Sequence, residues 1–166
     1  GGGGGSTKAN NIDLLTWRTS HDILANINQK LVDIHTLEAL CKNQAAMESF
    51  VEWLADSRMG GFQTLEAFDF YRDNERLKNL FSRVHGSVVS PDSVVAKADK
   101  IFNRYISEFS DERLEGLPKE VLDQIRVKLQ RPSAGGLFQG VEQLVLPELR
   151  KAFEAFKRSS YFEKLR

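Results

Sequence analysis

Apolar positions recur along most of the chain at spacings of three and four, the period of a helix buried along one face. Ile23, Ile27, Leu31 and Ile34 form one such stripe behind Ser20, whose hydroxyl can cap the free amides of a first turn. A short turn over residues 36–40 separates it from Met47, Phe50, Val51 and Leu54, and Met59-Gly60-Gly61 is the expected stop. Thr64 is the expected cap of the next segment. There Leu65 and Phe68 precede a polar run, Asp73 to Arg76, and the stripe resumes with Leu77, Leu80, Phe81 and Val84, giving one helix or two. Ser90-Pro91 opens a further helix, because proline tolerates a first helical position, and Val94, Ala98, Ile101, Tyr105 and Phe109 share its face. Pro118 starts another in the same way, with Val121, Leu122, Ile125 and Leu129, followed by a loop over residues 131–136. The last stripe runs from Phe138 through Val141, Val145, Leu149, Phe153 and Phe156. Pro147 lies inside it and lacks a backbone donor, which predicts a division into two helices. Only Val88-Val89 and Val94-Val95 hint at strands, so the pattern predicts an all-α fold with Phe68, Ile101, Tyr105, Ile125, Phe138 and Val145 buried together.

Composition narrows the class. With 166 residues and 41% hydrophobic positions the chain can bury the core of one compact domain. Lys plus Arg and Asp plus Glu both number 23, so no net field attracts nucleic acid. The single Cys41 rules out an internal disulfide and fits a reducing compartment, the cytoplasm. No apolar run approaches the roughly 18 residues of a membrane span, and the amino end lacks the plan of a signal peptide. Residues 1–6, five glycines and a serine, read as a flexible linker, engineered rather than native.

The chemistry-bearing residues form no recognisable active site. His21, His35 and His85 belong to no metal-ligand spacing, and Cys41 has no cysteine partner, so no metal and no cofactor is expected. Glu66, Asp69 and Asp73 share a helix face but lack the accompanying Glu-x-x-His, which makes them a solvated face. Gly60-Gly61 and Gly135-Gly136 are not followed by Lys-Ser or Lys-Thr, and no serine or cysteine sits in a nucleophile elbow. Arg150, Lys151, Lys157, Arg158, Lys164 and Arg166 interleave with Phe153, Phe156, Tyr161 and Phe162. Cations near helix C-termini and aromatics at core spacing explain that pattern better than a lipid surface. The expected activity is binding of another protein, with no catalytic residue of its own.

From Thr36 to Arg166 the order of elements resembles the RGS-homology domain of regulators of G-protein signalling. Ile101-Phe102-Asn103-Arg104-Tyr105-Ile106 looks like the family's IxxxYI helix, Leu137-Phe138-Gln139 like its LFQ helix start, and Phe153 to Phe162 like its closing xFxxFxxSxxF pattern. The pattern is nearest to the versions in G-protein-coupled receptor kinases. The resemblance implies an RGS-like fold, an antiparallel four-helix bundle flanked by a terminal helical subdomain, with residues 36–166 as the domain and residues 7–35 as an N-terminal helical extension. In that plan the bundle helices begin near Thr64, Pro91, Pro118 and Phe138.

The resemblance also implies a partner, the Gα subunit of a heterotrimeric G protein in its GTP state, whose hydrolysis such domains accelerate by holding its switch loops. Contacts of that kind map here to residues 59–64, 109–118 and 147–155. Gln63-Thr64 stands where the family has Glu-Asn, and Arg113 replaces a second key asparagine before Leu114-Glu115. An acidic and a basic position fall on Lys151 and Ala155. Two functions follow: a divergent GTPase activator, or an RGS-like scaffold and docking domain without that activity. The same likeness implies a monomer in the cytoplasm, with peripheral association at the inner face of the plasma membrane.

Overall fold

A computed structural model describes residues 34–57, 61–85, 91–130 and 136–165, and these form helices with no strand among them. The expected stripe at Ile23, Ile27 and Leu31 with its cap Ser20, the glycine stop at residue 60 and Val88-Val89 lie outside the described residues. Ile34, the last position of the first stripe, is buried.

In chain order the helices are α1 (Leu37–Cys41), α2 (Gln44–Ser57), α3 (Gly61–His85), α4 (Pro91–Ile101), α5 (Lys119–Leu129), α6 (Gln139–Lys157) and α7 (Ser160–Glu163). A π-helical turn, Phe102–Ile106, extends α4. Capping explains several starts. Thr36 Oγ1 accepts from the Ala39 amide at 3.1 Å, Asn43 Oδ1 from Ala46 at 3.0 Å and Ser159 Oγ from Phe162 at 3.4 Å. The Asn43 cap is buried, so Asn43→Ala should cost about 1–2 kcal/mol in a urea unfolding titration.

Helix α3 packs against α2, α4 and α6 and is the central rod of the fold. Two aromatic clusters hold it. Phe50 meets Phe68 edge-on with centroids 4.9 Å apart and Phe156 at 5.1 Å, and lies 6.0 Å from Trp53, joining α2, α3 and α6. On another side of α3, Phe70 meets Tyr105 of the π-turn at 5.6 Å and Phe138 at 6.1 Å. Helix α5 reaches this core through the buried Ile125, and Val121 lies close against Gly140 at the start of α6. The short terminal helices form a clasp: Tyr161 Oη donates to Asp56 at 2.6 Å, and Arg150 pairs with Glu38 at 3.6 Å. All six residues expected in the core, Phe68, Ile101, Tyr105, Ile125, Phe138 and Val145, are buried.

Four local expectations are corrected, and the open choice between one helix and two over residues 64–84 is settled as one. Residues 37–41 form a helix where a turn was expected, because Thr36 caps them. Thr64 does not cap α3; the helix begins three residues earlier, and Thr64 is a buried residue within it. The polar run does not divide α3. Buried Asn74 follows Phe70 by four residues and precedes buried Leu77 by three, so the core-facing stripe is continuous, and Arg76 pairs with Asp73 at 3.0 Å.

Pro147 does not divide the last stripe either. Helix α6 runs from Gln139 to Lys157, so residues 147–155 are helical and form no loop. The carbonyl left without a donor belongs to Gln143, which like Pro147 is exposed and can bond water, while Val145 and Leu149 on either side stay buried. The fourth correction is Phe109. It leaves the stripe of Val94, Ala98, Ile101 and Tyr105 and stands 90% exposed, because the π-turn adds a residue to the helical repeat and the chain then leaves the helix.

Candidate functional site

The N-terminal end of α3 and the connection over residues 107–118 meet at one surface. The connection starts where the Ser107 amide donates to the Phe102 carbonyl at 2.9 Å, the five-residue reach that defines the π-turn. Further bonds fix its course. The Leu114 amide donates to the Tyr105 carbonyl at 2.8 Å, Ser107 Oγ accepts from the Phe109 amide at 3.2 Å, and Ser110 Oγ accepts from the Glu112 amide at 3.1 Å and donates to the Arg104 carbonyl. Gly116 turns the chain with φ of 75°, a conformation that favours glycine.

Gln63 joins this loop to α3. Its side-chain oxygen accepts from the Glu115 amide at 3.0 Å, while its Nε2 donates to Glu66 at 3.1 Å. Arg113 is turned onto its own loop, donating to the Glu108 carbonyl at 3.2 Å and to the Glu115 carboxylate at 3.4 Å. Thus Gln63, Arg113 and Glu115 are brought together. Thr64 and Leu114 are buried, so they support the surface from beneath. Lys151 lies on the exposed face of α6, paired with Glu148 at 3.4 Å, and Ala155 is half-buried on the same helix. Among the described residues no hydrogen bond or ion pair links these two to the other five.

Beside this surface lies a partly exposed polar network. Arg104 binds Glu112 at 2.6 Å and Asp69 at 3.3 Å, reaches Asp73 at 3.6 Å and stacks over the Tyr105 ring. Tyr105 Oη donates to Asp73 at 2.7 Å and Lys97 Nζ to the same carboxylate at 3.2 Å. Burial raises the Asp69 carboxyl, and the attraction of Arg104 only partly offsets it. Burial acts the same way on Asp73, but bonds from Tyr105 and Lys97 outweigh it and hold that carboxyl below its ordinary value. So Asp69 and Asp73, expected on a solvated face, are half-buried parts of a brace between α3 and the π-turn.

The sign for Asp73 follows. A depressed carboxyl adds stability above its unfolded value, near pH 3.9, and loses it as the pH falls through the lower folded value. Asp73→Asn should therefore be less stable than wild type at pH 7 and flatten the loss of stability below about pH 4. Urea midpoints at pH 7 and pH 3 measure this; parallel losses for both proteins would remove Asp73 from the acid response.

Between the loop and α5 lies a groove of about 440 Å³ whose apolar lining includes Phe102, Ile106, Phe109, Leu117 and Leu122. Sequence reasoning missed Phe109 as a surface residue, since its spacing of four from Tyr105 suggested a continued core stripe. The signal that could have found it is the run of polar turn residues around it, Ser107-Glu108 and Ser110-Asp111-Glu112. Among the described residues no group of three or more His, Cys, Asp or Glu is placed to hold a metal ion, and no helix is long and apolar enough to cross a membrane.

Residues 36–165 match the family model described as the Regulator of G protein signaling domain. No curated protein matches the chain.

Proposed function

The chain belongs to the Regulator of G protein signaling domain family, and from that premise we propose that it binds a Gα subunit in its GTP state and accelerates its GTP hydrolysis. It would do so without a catalytic group of its own. Tight contact with the switch regions holds the conformation in which Gα's own glutamine, water and arginine complete the transition state. The observation that best supports this reading is the Gln63–Glu115 bond, which locks two of the three mapped contact segments into one preformed surface. A preformed surface loses little conformational entropy on docking, so more of its contact energy goes into stabilising the partner's reactive state.

Single-turnover GTP hydrolysis by a panel of Gα subunits, with and without the protein, tests the activity. Gln63→Ala should lower the acceleration by freeing the loop, while costing only about 1–2 kcal/mol of stability, the ordinary worth of the two partly exposed hydrogen bonds it removes, to Glu115 and Glu66. Equal acceleration by both proteins would detach the bond from function. The second reading, a scaffold that docks without activating, is favoured by the inward set of Arg113 and the burial of Thr64, since two mapped contact positions are engaged within the domain. A scaffold would bind the GDP and transition-state-mimic forms of Gα equally.

A further inference from the structure

Phe109 is the most exposed large apolar side chain among the described residues, ahead of Val127 at 66% and Leu144 at 44%. The backbone around it is set in place. Ser107 Oγ bonds the Phe109 amide, and the loop is pinned at Leu114 and Glu115 by the bonds to Tyr105 and Gln63. An aromatic ring held out by an ordered loop, at the edge of a groove lined by both apolar and charged side chains, is the form of an interface anchor.

The ring sits within negative charge. Residues 108–115 carry Glu108, Asp111, Glu112 and Glu115 against the single Arg113, in a chain whose charges balance as a whole, and the other cation lining the groove, Arg126, pairs with Asp123 at 3.7 Å. Arg113 is engaged with Glu115, and Arg104 is engaged with Glu112 and Asp69. The adjacent Glu66 shows the crowding: burial, then repulsion from Glu112, Asp69 and Glu115, raises its carboxyl. Such a face repels nucleic acid, an anionic membrane and a second copy of itself, and attracts a basic protein surface.

We propose that Phe109 and its carboxylate collar determine which partner this domain accepts: a Gα switch surface with an apolar pocket inside a basic rim. The proposal rests on the Gα reading above and adds the chemistry by which one Gα is chosen over another. The ring supplies an apolar anchor that slows dissociation, and the carboxylates Glu108 and Asp111 steer association.

Stopped-flow association with a Gα panel, activated by GDP and aluminium fluoride, at low and high salt separates these parts. For the Gα that binds best, Phe109→Ala should weaken affinity about fivefold through faster dissociation, as truncating a central interface aromatic does. Phe109→Leu should keep most of the affinity. Asp111→Lys should slow association at low salt and flatten its salt dependence. Both positions are exposed, so the thermal midpoints should stay at the wild-type value. If wild type accelerates hydrolysis while Phe109→Ala keeps full affinity, or while association is insensitive to salt and to Asp111→Lys, the anchor-and-collar proposal falls and the Gα reading stands. If no Gα binds, both fall.

Discussion

Phe50→Ala is expected to cost about 3–5 kcal/mol, the largest stability loss of any single truncation considered for this domain. Phe50 is fully buried and contacts Trp53 of its own helix, Phe68 of α3, and Phe153 and Phe156 of α6, at centroid distances from 4.9 to 6.3 Å. Truncation removes the transfer energy of the ring, leaves a cavity between three helices that cannot all close in, and ends several edge-on ring contacts. In a domain of this size the loss corresponds to roughly 10 °C of thermal midpoint. Urea and thermal unfolding measure both quantities. A loss below about 1 kcal/mol would mean that the site collapses without a cavity and that Phe50 does not bind the three helices together. Phe109→Ala supplies the contrast: it removes the same ring from solvent, and its cost should lie within about 0.5 kcal/mol.

That contrast marks how far the sequence could be read. Stripes at spacings of three and four located the bundle helices and the six core positions, because burial along one face is what those spacings encode. Phe109 and Pro147 mark the failures. A π-turn adds one residue to the helical repeat, and nothing in Phe102 to Ile106 announces it, so the stripe read from spacing alone runs one position too far. The missing donor of Pro147, taken alone, predicts a break. Whether that loss breaks a helix depends on where the orphaned carbonyl points, and here it belongs to the exposed Gln143. The candidate site was legible only through family likeness. Gln63 and Glu115 stand 52 residues apart, and no periodic signal reports that a glutamine side chain will meet a loop amide. The same holds for the bonds that Arg104, Tyr105 and Lys97 make to Asp69 and Asp73, two carboxylates that read in sequence as part of a solvated face.

Arg113→Ala is expected to weaken binding of transition-state-mimic Gα at least about tenfold, the effect of losing a central interface arginine. The geometry allows this although Arg113 now bonds its own loop. Its two contacts are long, at 3.2 and 3.4 Å, and its side chain keeps 41% of its exposure, so both bonds exchange readily for contacts on a partner. For the same reason the substitution should change stability by no more than about 0.5 kcal/mol, since the loop is held by Gln63, Ser110 and the Leu114 amide. Binding and folding would then separate, as they should at a residue whose work lies outside the domain. Arg113→Asn gives the sharper test. It restores the side chain that the family resemblance implies at this position and leaves Glu115 free of its guanidinium, so the variant should gain activity toward Gα subunits that ordinary family members serve. Thr64, buried beneath, would not oppose that gain through surface contact. Single-turnover hydrolysis with wild type and both variants across several Gα classes decides between the two functions. If none of the three proteins accelerates any Gα, the activator reading is lost and the domain is a docking scaffold; if Arg113→Ala accelerates as well as wild type, the loop is not the contact that matters.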